Sequence, residues 1–177
     1  FAQSHPWPME WLKECRREMK QEELKEMEAA PWFRFLFFDL KLQMEELSVQ
    51  MEEALEVCRE ENGPLAYEPM IQNDCRQLEA IAGAAASGDY GQIYESLSSL
   101  SFDRLASIRS KEVDPEKKAF VSGTRDRAKK AAAKCRDFYA SEPPDEMVEM
   151  VKKSEKALSC LLDLVEEFDR WYTQKKR

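Results

Sequence analysis

The sequence is short of the residues on which most active sites and most secreted folds depend: its 177 residues include one histidine, five glycines and five cysteines. The histidine, His5, lies between Ser4 and Pro6 in a proline-rich start. A Ser–His or Cys–His dyad would therefore have no rigid element to hold its base. Cys15, Cys58, Cys75, Cys135 and Cys160 are an odd number with no Cys-x-x-Cys spacing, which leaves out zinc and a disulfide framework. They read as free thiols on apolar helix faces in a reducing, cytoplasmic setting. Gly83 and Gly88 have the separation of a phosphate loop, but Asp89-Tyr90 follow where Lys and Ser or Thr are needed, and an acid there repels phosphate. No strand precedes these glycines, so a dinucleotide fold is excluded as well. No apolar run reaches the ~20 residues that span a bilayer, and the start lacks the charged and apolar regions of a secretory leader. The Glu45-Glu46, Glu52-Glu53 and Glu166-Glu167 pairs fall on outer helix faces, and no Glu-x-x-His pair offers a di-metal site. The expectation is a chain with no catalytic residues, no metal and no cofactor of its own, and without membrane contact.

What is abundant is helix-forming: Glu, Lys, Leu, Ala, Met and Arg dominate, and β-branched residues are few. Pro8 suits a first helical turn, and a helix is expected from there to about Glu28, its charged end from Gln21 reading as solvated end or loop. A long helix is expected over about 32–61, with Phe33, Phe37, Leu40, Met44, Leu47, Met51, Ala54 and Cys58 at alternating steps of four and three. Asn62-Gly63-Pro64 ends it, with Gly63 expected as a left-handed cap. A third helix is expected from Pro69 to about Ala86, and a short one from Tyr90 to about Leu97. Leu100 to Leu105 reads as a loop with Phe102 and Leu105 as buried anchors. Pro115 opens a fifth helix to about Tyr139, with Val121, Thr124, Ala128, Ala131, Cys135 and Phe138 as its stripe. The last, about 145–174, repeats a heptad through Met147, Val151, Ser154, Leu158, Leu161, Val165, Phe168 and Tyr172. Apolar residues off the stripes (Phe35, Phe38 and Leu42; Met150, Leu162, Leu164 and Trp171) suggest broader burial than in an isolated coiled coil. The fold class is all-α: a single helical domain over 1–177, a bundle whose two long helices pair antiparallel with shorter helices around them.

Charge is unevenly spread. The net charge is −8, yet residues 104–136 hold 11 Lys and Arg against 4 Asp and Glu, a local balance of +7. On the fifth helix Lys118, Arg125, Lys129 and Arg136 share a face away from the expected stripe. With Arg104, Arg109 and Lys111 in the preceding loop, they make a row that could follow a phosphate backbone. Aromatics are not interleaved with them, which favours duplex contact over single-strand stacking.

Three stretches resemble one family. Ser4-His5-Pro6-Trp7-Pro8-Met9-Glu10-Trp11-Leu12 is similar to an Asn-Pro-x-Pro-x-x-Trp-Leu segment, with His5 in place of Asn. Ser101-Phe102-Asp103-Arg104-Leu105 is similar to a Ser-Phe-x-Arg-Leu loop. Leu161 to Tyr172 resembles the helix leading into an Asp-Phe-x-Asp motif. All three, in this order, resemble the A subunit, AddA type, of bacterial ATP-dependent helicase–nucleases, a relative of the UvrD and RecB helicases. The resemblance implies a helical 1B subdomain, inserted in the first motor domain between the two nucleotide motifs, which contacts duplex DNA ahead of the fork. It implies a parent that uses ATP and Mg to unwind and degrade double-strand ends for recombination and repair. The partners implied are duplex DNA, the remaining motor domains and a second helicase–nuclease subunit. The rival expectation is a protein-interaction bundle that docks a partner subunit without touching DNA, and it requires an exposed apolar patch.

Overall fold

The structure, a computed structural model, describes residues 10, 13–14, 16–17, 23–109 and 112–176. Its regular elements are α1 (Leu24–Ala29), α2 (Pro31–Arg59), a 3-10 turn (Leu65–Tyr67), α3 (Glu68–Ser87), α4 (Tyr90–Ser99), α5 (Pro115–Tyr139) and α6 (Pro144–Lys176). The fold is all-α, with no strand among the described residues. Among those residues no helix is long and apolar enough to cross a membrane. The Ser4–Leu12 motif lies, apart from Glu10, outside the described residues, as do Cys15 and Lys111.

The chain divides into two compact units, 31–143 and a second made of 1–30 with 144–177. In the first, α2 is the spine. All eight residues of its alternating stripe, from Phe33 to Cys58, are buried. Within the unit, α3 and α5 pack on α2, and α4 packs on α3 and α5. The small residues Ala82, Ala84 and Ala85 are buried at the end of α3. An aromatic cluster closes one end, with the Phe33 and Phe37 rings 4.5 Å apart and Tyr90 stacked on Phe37 at 6.3 Å. The Tyr90 hydroxyl donates to the Glu142 carbonyl at 2.6 Å. Of the two long helices, α2 belongs to the unit 31–143, where it packs with α3 and α5, and α6 belongs to the other unit. The broader burial expected of the long helices is corrected: Phe35, Phe38, Leu42, Met150, Leu164 and Trp171 are all exposed, while Leu162 is half-buried.

The helix ends follow from local chemistry. Asp89 caps α4 by accepting from the Gln92 amide at 2.9 Å, and Asp114 caps α5 by accepting from Glu116 at 2.8 Å, each satisfying an amide that has no partner within the helix. Gly88 takes the left-handed cap of α3 at φ 75. After α2 the left-handed residue is Asn62, at φ 59, rather than Gly63. Gly63 is needed for a different reason: a Cβ there would meet the Val57 carbonyl and sit 2.8 Å from that of Cys58. The start of α5 is tied to the end of α2 by the Asp114 amide on the Asn62 carbonyl at 2.8 Å, and by Lys117 on the Glu60 carboxylate and the Glu61 carbonyl.

In the second unit α1 and α6 are in contact. The charged stretch expected to be loop or solvated end contains α1, whose Met27 is fully buried. Arg16 is held on α6 by Asp163 at 2.6 Å and by the Ser159 carbonyl at 3.1 Å.

Candidate nucleic-acid interface

The basic segment begins where α4 ends. From Leu100 to Arg109 the chain is neither helix nor strand, and it is held at its first residues from two helices. Gln77 on α3 uses both ends of its amide: its nitrogen donates to the Ser101 carbonyl at 2.8 Å, and its oxygen accepts from the Ser101 amide at 2.9 Å. The next residue, Phe102, lies under the guanidinium of Arg125 on α5, with 5.6 Å from Cζ to the ring centroid. Phe102 and Leu105, expected as buried anchors, are half-buried. Arg104 and Arg109 are exposed.

Arg125 is the expected phosphate contact that the structure moves elsewhere. It is 6% exposed, its Nε is 2.5 Å from Asp74 Oδ2, and its second nitrogen is 3.3 Å from Oδ1. Asp74 is wholly buried. Burial pushes the Asp74 carboxyl above the usual range, and the hydrogen bond and charge of Arg125 pull it back; Asp103 adds to the rise and Lys129 opposes it. Two of the five N–H groups of Arg125 are on the carboxylate and its face is on a ring, and at 6% exposure the remaining donors are not presented to a phosphate in solution. Arg125 therefore drops out of the row as a structural residue.

The other expected residues on α5 are placed by its buried stripe. On α5 the buried set is Val121, Thr124, Arg125, Ala128, Ala132, Cys135 and Tyr139. The stripe thus runs through Ala132 and Tyr139 where Ala131 and Phe138 were expected, and Phe138 is 65% exposed. A straight helix has 3.6 residues per turn, so a strict heptad drifts off the buried face by about 20° every seven residues. Lys118, Lys129 and Arg136 consequently follow the border of the buried stripe. Lys129 and Arg136 are exposed and Lys118 half-buried, and Arg136 pairs with its neighbour Asp137 at 3.2 Å. Lys130 and Lys134, one step round the helix, are exposed too.

Two residues that position this edge were not expected, Asp74 and Gln77. For Asp74 a signal existed. It falls in the three-four series Ile71, Asp74, Leu78, Ile81, Ala85, as Arg125 falls in Val121, Arg125, Ala128, Ala132. One acid and one base set singly in two apolar stripes is the pattern of a buried pair. Gln77 left no such trace.

Elsewhere the chemistry is quiet. Among the described residues no group of three or more His, Cys, Asp or Glu side chains gathers to hold a metal. Cys58, Cys75 and Cys135 are buried free thiols and Cys160 is exposed. Burial pushes the Cys58 and Cys75 thiols up to about 11.

No family model matches the sequence. It is 30% identical, over 99% of its length, to the A component of the ATP-dependent helicase/nuclease of Heliobacterium modesticaldum, of which it covers 13%. It is 30% identical over its whole length to the protein of the same name in Clostridium beijerinckii and 24% identical to that in Bacillus licheniformis, covering 14% of each. The chain thus spans about one seventh of the length of these curated relatives.

Proposed function

Because the chain belongs to the family of ATP-dependent helicase/nuclease A components, with about one seventh of whose length it aligns, we propose that residues 1–177 serve together as a helical insert of the 1B kind that contacts duplex DNA. The parent protein in this reading is the enzyme, using ATP and Mg to unwind and process double-strand ends in the cytoplasm. This chain guides DNA, alongside the remaining motor domains and a second helicase–nuclease subunit. The observation that carries the reading is the basic edge formed by exposed Arg104, Arg109, Lys129 and Arg136 with half-buried Lys118, with Lys111 assigned to it from sequence alone. Each Lys or Arg that neutralises a phosphate releases counterions, so affinity falls with salt in proportion to the number of contacts. Duplex binding by the intact protein, titrated at two salt concentrations, tests it. Arg104→Glu with Lys129→Glu is expected to weaken binding and flatten the salt dependence, and unchanged affinity and slope would reduce the edge to a solvated face.

A second reading has its own observation. On α6, Leu158, Leu161, Leu164, Phe168, Trp171 and Tyr172 are exposed, a continuous apolar row of the kind a docking helix presents. It supports α6 as a surface for another protein element. The two readings use different units of the chain and do not compete for residues.

A further inference from the structure

We propose that the Leu100–Arg109 loop is a preformed phosphate-contacting edge, and that Gln77, Asp74 and Arg125 are the positioning residues that preform it. This deepens the DNA-contact reading above and rests on it. Ten residues without helix or strand would ordinarily sample many conformations, and ordering each of them costs backbone entropy. Here consecutive residues are held from separate helices: Ser101 by the Gln77 amide on α3, and Phe102 by the Arg125 guanidinium on α5. The guanidinium is itself fixed by Asp74, so the ring rests on a cation that cannot swing away. Only Arg offers a planar edge for the carboxylate and a face for the ring at once. At the far end the chain is fixed again where the Asp114 amide meets the Asn62 carbonyl. Arg104 and Arg109, between these anchors, are exposed. Asp103 and Lys129 both act on the Asp74 carboxyl, so the loop and the basic border of α5 converge on the same buried pair.

A positioning residue and a contacting residue differ in what they do to salt dependence. Removing a contact lowers the slope by about 0.9 per phosphate on duplex DNA. Removing a positioning residue lowers the fraction of protein with the loop in place, which weakens binding equally at all salt concentrations. In the intact protein, Gln77→Ala and Phe102→Leu are compared with wild type by limited tryptic cleavage after Arg104 and Arg109, and by titration of a labelled blunt duplex across a salt series. Gln77 is half-buried and Phe102→Leu keeps an apolar anchor, so both variants are expected to fold. Cleavage is expected to rise about tenfold in Gln77→Ala, which loses two hydrogen bonds, and less in Phe102→Leu. Affinity is expected to fall about three- to tenfold with the slope unchanged, while Arg104→Ala and Arg109→Ala each flatten the slope. Unaltered cleavage in both variants would overturn the pinning. Faster cleavage with full DNA affinity, or a flattened slope in Gln77→Ala, would overturn the positioning role. If Arg104→Ala and Arg109→Ala change neither affinity nor slope, the DNA-contact reading itself fails, whatever the cleavage shows.

Discussion

The two units are written in the same code and use it differently. Both are built on a helix of about thirty residues with an alternating apolar stripe, α2 with 29 residues and α6 with 33. On α2 all eight stripe residues are buried. Among the described residues of α6 only Met147 is buried, while Leu161 is 58% and Phe168 64% exposed. Periodicity says which face of a helix is apolar, and it says nothing about whether the partner lies in the same unit. The off-stripe residues make the same point on α2, where Phe35, Phe38 and Val49 are exposed although the helix is the centre of its unit.

Several substitutions would break or sharpen this contrast, beginning with the largest. Arg125→Ala leaves the Asp74 carboxylate buried and unpaired, and is expected to cost about 3–5 kcal/mol. Denaturant unfolding monitored by circular dichroism measures it, and a loss below ~1 kcal/mol would return Arg125 to the solvated row. Leu40→Ala, in the middle of the buried stripe, is expected to cost about 2–5 kcal/mol, with Phe168→Ala on α6 within about 0.5 kcal/mol of wild type. Equal losses at the two positions in the same unfolding assay would mean that the α6 row is covered.

The pH dependence follows from the thiols and Tyr90. Cys58 and Cys75 are held at about 11, against an ordinary 9.0, and burial pushes Tyr90 up to about 12 from 10.0. These groups are raised in the folded state, so the unfolded chain loses its protons first. The stability they contribute is whole below pH 9 and drains away between pH 9 and about 12, on the order of 2 kcal/mol per group. Unfolding midpoints from pH 8 to 11 check this, and a flat profile would show that these groups are accessible to water in the folded state. The smallest effect is chemical. Exposed Cys160 should react with a thiol reagent at once, and Cys58, Cys75 and Cys135 only as fast as their unit opens. Prompt labelling of more than one of these four would contradict the buried assignments.

How much of this is legible in the sequence depends on what each feature needs. The stripe of α2 and the bounds of α5 can be read because helical periodicity, Pro115 and the Asp114 cap are local signals. The register of α5 departs by one residue in its second half because a heptad template does not fit a helix of 3.6 residues per turn. Arg125 reads as a solvent residue when charge is treated as a mark of exposure; its burial depends on Asp74, 51 positions away. The pairing of α2 is likewise out of reach, since α3, α5 and α6 all offer apolar faces. The candidate edge is visible as a charge imbalance, and its support from Gln77 is not, because a glutamine binding a backbone amide leaves no pattern in composition or spacing. Family membership rests on alignment along the whole chain, while the resembling motif at Ser4–Leu12 lies almost wholly outside the described residues.

The hydrogen bond from Asp114 to Asn62 turns the first unit into a closed circuit. The chain leaves the end of α2, travels out through α3, α4 and the basic loop, and returns to its point of departure before α5 begins. Lengthening a closed circuit of this size is thermodynamically cheap, because closure entropy grows only with the logarithm of its length, each doubling costing about 0.6 kcal/mol. Insertions in the turns that join the helices of the outbound path can therefore be absorbed without disturbing the junction. The junction is where α5 is committed to α2, and slow hydrogen exchange at the Asp114 amide would record how seldom the circuit opens.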